Sequence, residues 1–202
     1  MATSRSDRAS KAPSPAGALL APGASAGRDQ PALVQLDEAL SRAGLVVERM
    51  DFPYRLAGRR APDRPAVLVA AVVDAARALA ARTGTGTDRL VLGGRSMGGR
   101  MCSVAVGEGL EAAALVLISY PLHPPGRPER LRTEHFPSLR LPCLFVSGTR
   151  DTFGSPAELE AATAAIPGPV THKWVEGGDH GLRGKDALVS ELVAPWVAAL
   201  GP

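Results

Sequence analysis

Leu90-Val91-Leu92-Gly93-Gly94-Arg95-Ser96-Met97-Gly98-Gly99-Arg100 is the stretch on which the reading of this chain turns. Its first three residues form a short apolar run closed by glycine, which predicts a buried strand. Gly93 to Gly99 then predict a turn, leading into a helix to about Val106. Residues 94–98 match the pattern Gly-x-Ser-x-Gly, which is weak by itself because both residues are common. Its setting, after a strand and at the opening of a helix, is what gives it meaning. A residue at such an elbow is held in a strained backbone conformation, and flanking glycines let neighbouring segments approach without a Cβ clash. The helix N-terminus adds free N–H groups and positive potential. A phosphate-binding loop would need GxxxxGKS/T or GxGxxG, and neither fits here.

Working outward, short apolar runs alternate with helical patterns. Gly17 to Ala21 predicts a strand, followed by a Gly-containing loop, Pro22 to Gly27. Pro31 to Ala43 carries Leu33, Leu36 and Leu40 at helical spacing, with Gly44 as its stop. Leu45-Val46-Val47 begins a strand, Asp51 to Arg64 is polar and Pro-bearing and predicts a loop, and Pro65 to Ala81 predicts an Ala-rich helix. Beyond the elbow come a strand at Ala113 to Ser119, a basic, Pro-rich insertion at Pro121 to Pro142, and a strand at Leu144-Phe145-Val146. A helix at Ala157 to Ala165, a strand at Val170 to Val175 and a helix at Gly184 to Leu200 complete the chain. Such alternation means an α/β fold, a mostly parallel sheet of about six strands with helices on both faces. Ligands in such sheets bind beyond the carboxyl ends of the strands.

The 202 residues suffice for one domain. Residues 1–16, rich in Ser, Ala, Pro and charge, predict a disordered tail, and residues 17–202 the domain. Cys102 and Cys143 each lie in an apolar run and are no disulfide framework, which fits a reducing, cytoplasmic setting. No run approaches the length needed to cross a bilayer. The net charge of +3 comes with only 4% aromatics and no basic stripe, so nucleic acid is not an expected partner. No cofactor or metal is called for: the chain has no CxxC and no His/Cys cluster.

A serine hydroxyl needs a base within reach, itself held by a third group. On this kind of sheet the order is serine, acid, histidine. His180, in Gly177-Gly178-Asp179-His180-Gly181, lies past the strand ending near Val175 and is the last histidine before the C-terminal helix. Asp151 follows Gly148-Thr149-Arg150 just past another strand end. Asp179 is better suited to bracing its own loop. His172, inside a strand, reads as structural or surface. The backbone N–H groups of Met97 and of Ala24, in the first loop, are the candidate oxyanion donors, with Ser25 the next in line.

With those residues in place, the chain resembles the KANL3/Tex30-type α/β-hydrolase-like family, close to the dienelactone hydrolases. The matching stretches are Ala21 to Ala24, Gly93 to Arg100, Ser119-Tyr120-Pro121-Leu122-His123-Pro124-Pro125-Gly126, Gly148 to Asp151 and Gly178-Asp179-His180. The resemblance implies a minimal α/β-hydrolase fold without a separate lid domain and lacking the first two strands. It also implies a triad of Ser96, Asp151 and His180. Pro22 stands where many relatives carry histidine.

Two functions follow. One is a serine hydrolase cleaving a small acyl ester or thioester, with a small-molecule acyl substrate and no cofactor; peptidase activity is a weaker variant. The other is a non-catalytic interaction module on the same fold, which would have no need of all three residues. The insertion, residues 121–140, should form an ordered pocket wall beside Ser96 carrying Tyr120, Leu122 and His123. His123 is read there as either a substrate contact or a packed structural residue. Arg95 in the elbow, with Arg127, Arg130, Arg132 and Arg140 in or near the insertion, would attract an anion or form a solvated basic loop.

Overall fold

The computed structural model describes residues 14–201. Six strands form one all-parallel sheet: β1 (Gly17–Ala21), β2 (Val46–Arg49), β3 (Leu90–Arg95), β4 (Ala114–Ile118), β5 (Cys143–Gly148) and β6 (Val170–Val175). Their order across the sheet is β2-β1-β3-β4-β5-β6, so β1 lies between β2 and β3, and the chain then steps outward in one direction. Helices fill the crossovers: α1 (Pro31–Arg42), α2 (Pro53–Leu56), α3 (Pro65–Thr83), α4 (Met97–Gly107) and α5 (Pro156–Thr163), with α6 (Asp186–Ala198) after β6. The connection from β4 to β5 holds only a 3-10 turn, Phe136–Ser138.

Both faces of the sheet are covered, which is why its four inner strands, β1, β3, β4 and β5, are buried almost throughout, while the edge strands β2 and β6 carry polar residues. In β1, Ala18 and Leu20 point to the layer of α1 and α6, among Leu33, Leu36, Leu40, Val189 and Val193. Leu19 and Ala21 point the other way, toward α3, α4 and α5, with Leu79, Met101 and Leu159 in that layer. Cys102 and Cys143 are free and buried there, and burial pushes both thiols up to about 12. Helix ends follow their sequence signals. Pro31 and Pro65 open α1 and α3, and Gly84 closes α3 in the left-handed conformation at φ 64°. Ser155 and Glu158 form a reciprocal capping box at α5. Among the described residues no helix is long and apolar enough to cross a membrane.

Three expectations need correcting. The segment Asp51 to Arg64 is not all loop: Pro53 opens the short helix α2, and Phe52 and Tyr54 are both fully buried. Burying such an aromatic side chain is worth about 1.5–3 kcal/mol, enough to override the polar, Pro-bearing local pattern. The elbow is tighter than a seven-residue turn, because β3 runs through Arg95, α4 starts at Met97, and Ser96 alone makes the corner. Of the expected tail, residues 1–13 lie outside the described residues. Ser14 to Ala16, however, are held against the domain: Arg89 donates to the Ser14 carbonyl (2.8 Å), and the Ala16 amide donates to the Arg89 carbonyl (2.8 Å).

Candidate active site

Ser96 stands at the carboxyl end of β3 with φ 50° and ψ −119°, a conformation that costs a non-glycine residue of order 1–3 kcal/mol. Its amide still donates to the Ile118 carbonyl (2.8 Å), so β3–β4 pairing holds the residue while the backbone turns under it. Close approach of α4 to the loop after β1 sets where the serine points. A Cβ on Gly98 would lie 2.2 Å from the Ala21 oxygen and 2.5 Å from the Pro22 oxygen, so only glycine lets the helix start there.

The loops after β5 and β6 bring the other two groups together. A Cβ on Gly148 would meet the Gly178 carbonyl oxygen at 2.1 Å, and the Arg150 amide donates to that same carbonyl (2.8 Å). The two strand ends are thus laced edge to edge, and Asp151 faces His180. His180 Nδ1 lies 2.8 Å and 3.0 Å from the two Asp151 oxygens, and its Nε2 lies 2.8 Å from Ser96 Oγ. An ionised carboxylate only accepts, so Nδ1 carries the hydrogen and Nε2 presents its lone pair to the serine hydroxyl. Asp151 is held in turn by the Phe153 amide, which donates to Oδ1 (2.8 Å). The Asp151 side chain is 1% exposed and that of His180 is 20% exposed. The Phe153 ring stacks on the imidazole with centroids 3.9 Å apart, and Arg95 donates to the His180 carbonyl. Asp179, as its sequence context suggests, serves its own loop: Oδ1 accepts from the Leu182 amide (2.9 Å).

These residues open on a cleft of about 470 Å³ lined by Gly23, Ala24, Ser25, Ser96, Met97 and His180, among others. Met97 is the first residue of α4, so its amide has no acceptor within the helix. The loop carrying Ala24 is pinned from both sides: Gly23 N–H donates to Gln30 Oε1 (3.3 Å), and Tyr54 donates to the Ala24 carbonyl (2.7 Å). A wider groove of about 870 Å³ runs between α1 and α6, but it holds no member of the Ser–His–Asp chain. It is a valley between two helices, with Glu38, Arg42 and Glu191 on its walls.

Residues 121–140 do reach the cleft, through Pro121 and Arg132, with Ser25 and Arg95 also on its walls. Tyr120, Leu122 and His123 do not line it. The Tyr120 ring packs against Phe136 and Phe145, and its hydroxyl donates to the Arg132 carbonyl (2.6 Å). His123 is buried, with Nδ1 donating to the Pro124 carbonyl (2.8 Å) and Nε2 facing Glu158 at 3.6 Å. Arg127, Arg130 and Arg140 are exposed and away from the cleft.

A second serine–histidine pair has no counterpart in the sequence reading, which assigns Ser103 no base. Ser103 Oγ lies 2.8 Å from His135 Nε2. The serine gives its one hydrogen to the Arg100 carbonyl (2.9 Å), so it accepts from the histidine. Ser103 is fully buried, and burial, helped by the Arg100 charge, pushes His135 down to about 4. This is an internal brace with the hydrogen running the wrong way for a base.

A family model described as an alpha/beta hydrolase domain matches residues 15–192. The chain belongs to this alpha/beta hydrolase family. Solved structures carry the same fold. An alpha-beta serine hydrolase homologue from Coxiella burnetii is 18% identical and superposes with TM-score 0.73 over 92% of this chain and 86% of that one. A dienelactone hydrolase from Anabaena variabilis is 22% identical, TM-score 0.71, covering 91% and 85%. The esterase domain of a Rhodothermus marinus protein is 20% identical, TM-score 0.70, covering 93% and 89%. In this alpha/beta hydrolase chain, sequence reasoning missed Gln30, Tyr54, Arg100 and Phe153 around the cleft. Two of them had a usable signal: Phe153 lies two residues past Asp151, and Arg100 lies one helical turn past Ser96.

Proposed function

We propose that the chain is a serine hydrolase cleaving a small acyl ester or thioester, and that it sits within the KANL3/Tex30-type branch of the alpha/beta hydrolases. The observation that carries the reading is the unbroken hydrogen-bonded run from Ser96 through His180 to Asp151 at the head of a cleft of about 470 Å³. Ser96 Oγ attacks the acyl carbonyl as His180 Nε2 takes its proton. Asp151 keeps the proton of Nδ1 in place and stabilises the imidazolium. The amides of Met97 and Ala24 receive the negative charge that develops on the carbonyl oxygen. The imidazolium then returns its proton to the leaving alcohol or thiol, and water, activated by the same base, releases the acid.

A fluorophosphonate probe with peptide mapping tests this reading. A single adduct on Ser96 is expected, because Ser103, Ser119 and Ser147 are buried, Ser103 gives its hydrogen to the Arg100 carbonyl and accepts from His135, and the hydroxyls of Ser119 and Ser147 meet no partner. An adduct elsewhere, or none on folded protein, overturns the assignment. An acyl-ester and thioester panel then gives the leaving-group class.

A further inference from the structure

Resting on Ser96 as nucleophile, we propose that the cleft takes an acyl substrate whose far end carries an oxyanion group, a carboxylate or a phosphate, bound by Arg100 and Arg132. Three guanidinium groups line the cleft, those of Arg95, Arg100 and Arg132, against one carboxylate, Asp63. Asp63 Oδ1 pairs with Arg59 at 2.7 Å, while its Oδ2 is buried without a partner, so the cleft keeps one acidic oxygen against three guanidinium groups. Elsewhere Arg28, Arg49, Arg59 and Arg82 each have an acidic partner. Among the described residues none of the three cleft arginines has a carboxylate within 4.0 Å.

Arg95 is accounted for by its bond to the His180 carbonyl, which ties the elbow to the histidine loop. The other two are not. Arg100 stands in the first turn of α4, four residues after Ser96, and both residues line the cleft. Its Nε is buried and meets no acceptor. Arg132 comes from the insertion and is set by backbone contacts. Its amide donates to Leu122 (2.9 Å), its carbonyl accepts from Tyr120 (2.6 Å), and one guanidinium nitrogen rests at 3.4 Å from the Pro121 carbonyl. The two charges feel each other: burial, and then Arg100, lower the pKa of Arg132. Like charges brought together in a part-buried wall repel until an anion bridges them. The rigid fork of arginine donors fits an oxyanion in paired hydrogen bonds.

Leu68 and Met101 line the same cleft and give the acyl chain apolar contact. The substrate class is therefore a half-ester or half-thioester of a dicarboxylic acid, or its phosphate analogue.

The test compares mono-4-nitrophenyl glutarate with 4-nitrophenyl pentanoate, which match in length and differ in the terminal carboxylate. Wild type should favour the glutarate ester in kcat/KM by about tenfold or more, the scale of one or two charge-assisted hydrogen bonds. The preference should shrink with added salt. The ratio should collapse in Arg132→Met and in the Arg100→Met, Arg132→Met double variant, and stay at its wild-type value in Arg127→Gln. Binding is read separately as a rise in melting temperature. Free glutarate should stabilise wild type and not the double variant, and inorganic phosphate in a parallel arm tells which oxyanion is preferred. Equal cleavage of both esters, with no glutarate shift, overturns the anion site and leaves the hydrolase reading intact. A glutarate shift lost in the variants, with no ester cleaved and Ser96 unlabelled, keeps the site and overturns the hydrolase reading.

Discussion

Replacing Asp151 with asparagine preserves shape almost perfectly and should nonetheless stop the reaction. The reason lies in what holds the carboxylate. The Phe153 amide donates to Oδ1 at 2.8 Å, so an asparagine must turn its oxygen to that position. Its NH₂ then falls where Oδ2 was, 2.8 Å from His180 Nδ1. An NH₂ can only donate, and at 2.8 Å it stands closer to Nδ1 than the oxygen kept at 3.0 Å, which favours moving the hydrogen to Nε2, and Nε2 then points a hydrogen at Ser96 instead of a lone pair. The opposite flip restores the tautomer but sets two donors face to face at a residue whose side chain is 1% exposed. An unsatisfied buried N–H of that kind costs about 1–3 kcal/mol, and no charge remains to stabilise the imidazolium. Turnover should fall roughly 10³- to 10⁴-fold, the scale of the same change in a related triad. Initial rates on a 4-nitrophenyl ester, with circular dichroism to show that the fold is kept, measure this. Asp179→Asn is the control: Oδ1 of the new side chain can still accept from the Leu182 amide (2.9 Å in the parent), so turnover should stay near wild type. Equal losses in the two variants would refute the assignment of the acid.

Gly98→Ala should damage both stability and catalysis, because the new Cβ would lie 2.2 Å from the Ala21 oxygen and 2.5 Å from the Pro22 oxygen. The helix start must back away by about 1 Å, a displacement that can cost on the order of 10²-fold in turnover, with overpacking adding about 1–3 kcal/mol of destabilisation. Wild-type rates and melting temperature would show that the helix start is not fixed in this way. His135 gives a pH dependence with a definite sign. Burial depresses it from 6.5 to about 4, so the folded chain keeps it neutral while the unfolded chain takes a proton below 6.5. Its presence leaves stability unaffected well above 6.5 and lowers it as pH falls from 6.5 toward 4, with no further loss below that. Denaturant titrations across this window should show a shallower decline in His135→Gln, and an unchanged slope would mean that the histidine charges freely in the fold.

What could be read in the sequence and what could not divide along a physical line. Ser96, Asp151 and His180 each stand within a few residues of a strand end. In a parallel sheet all such ends lie on one rim, so locating the strands is enough to gather the three residues. Gly44 and Gly84 mark helix ends for an equally local reason. The direction of a side chain at the start of a long connection is not local. Tyr120 and His123 begin the insertion beside the cleft, but one is drawn into the aromatic cluster with Phe136 and Phe145 and the other is turned toward Glu158. Only distant packing decides that. The Ser103–His135 brace joins residues thirty-two positions apart with no periodic relation, and the hydrogen bond from Tyr54 to Ala24 spans thirty. Tyr54 was missed because four helical residues between prolines carry no periodic signal, although their burial fixes the loop beside Ser96.

The place of β1 in the sheet bears on how the chain is made. This strand, buried along its whole length, leaves the ribosome among the first residues of the domain, yet it sits between β2 and β3. Its partner residues in β3 begin at Leu90, opposite Gly17, about seventy residues later. At synthesis rates of about 5–20 residues per second, one edge of an entirely apolar strand waits roughly four to fourteen seconds for its neighbour. Over that interval Ala18 to Ala21 have α1, β2 and, once residues 65–83 have emerged, α3 to lie against, but nothing on the edge that β3 will take. The nascent chain is most open to mispairing and chaperone capture then, before the serine elbow that completes the central sheet has been synthesised.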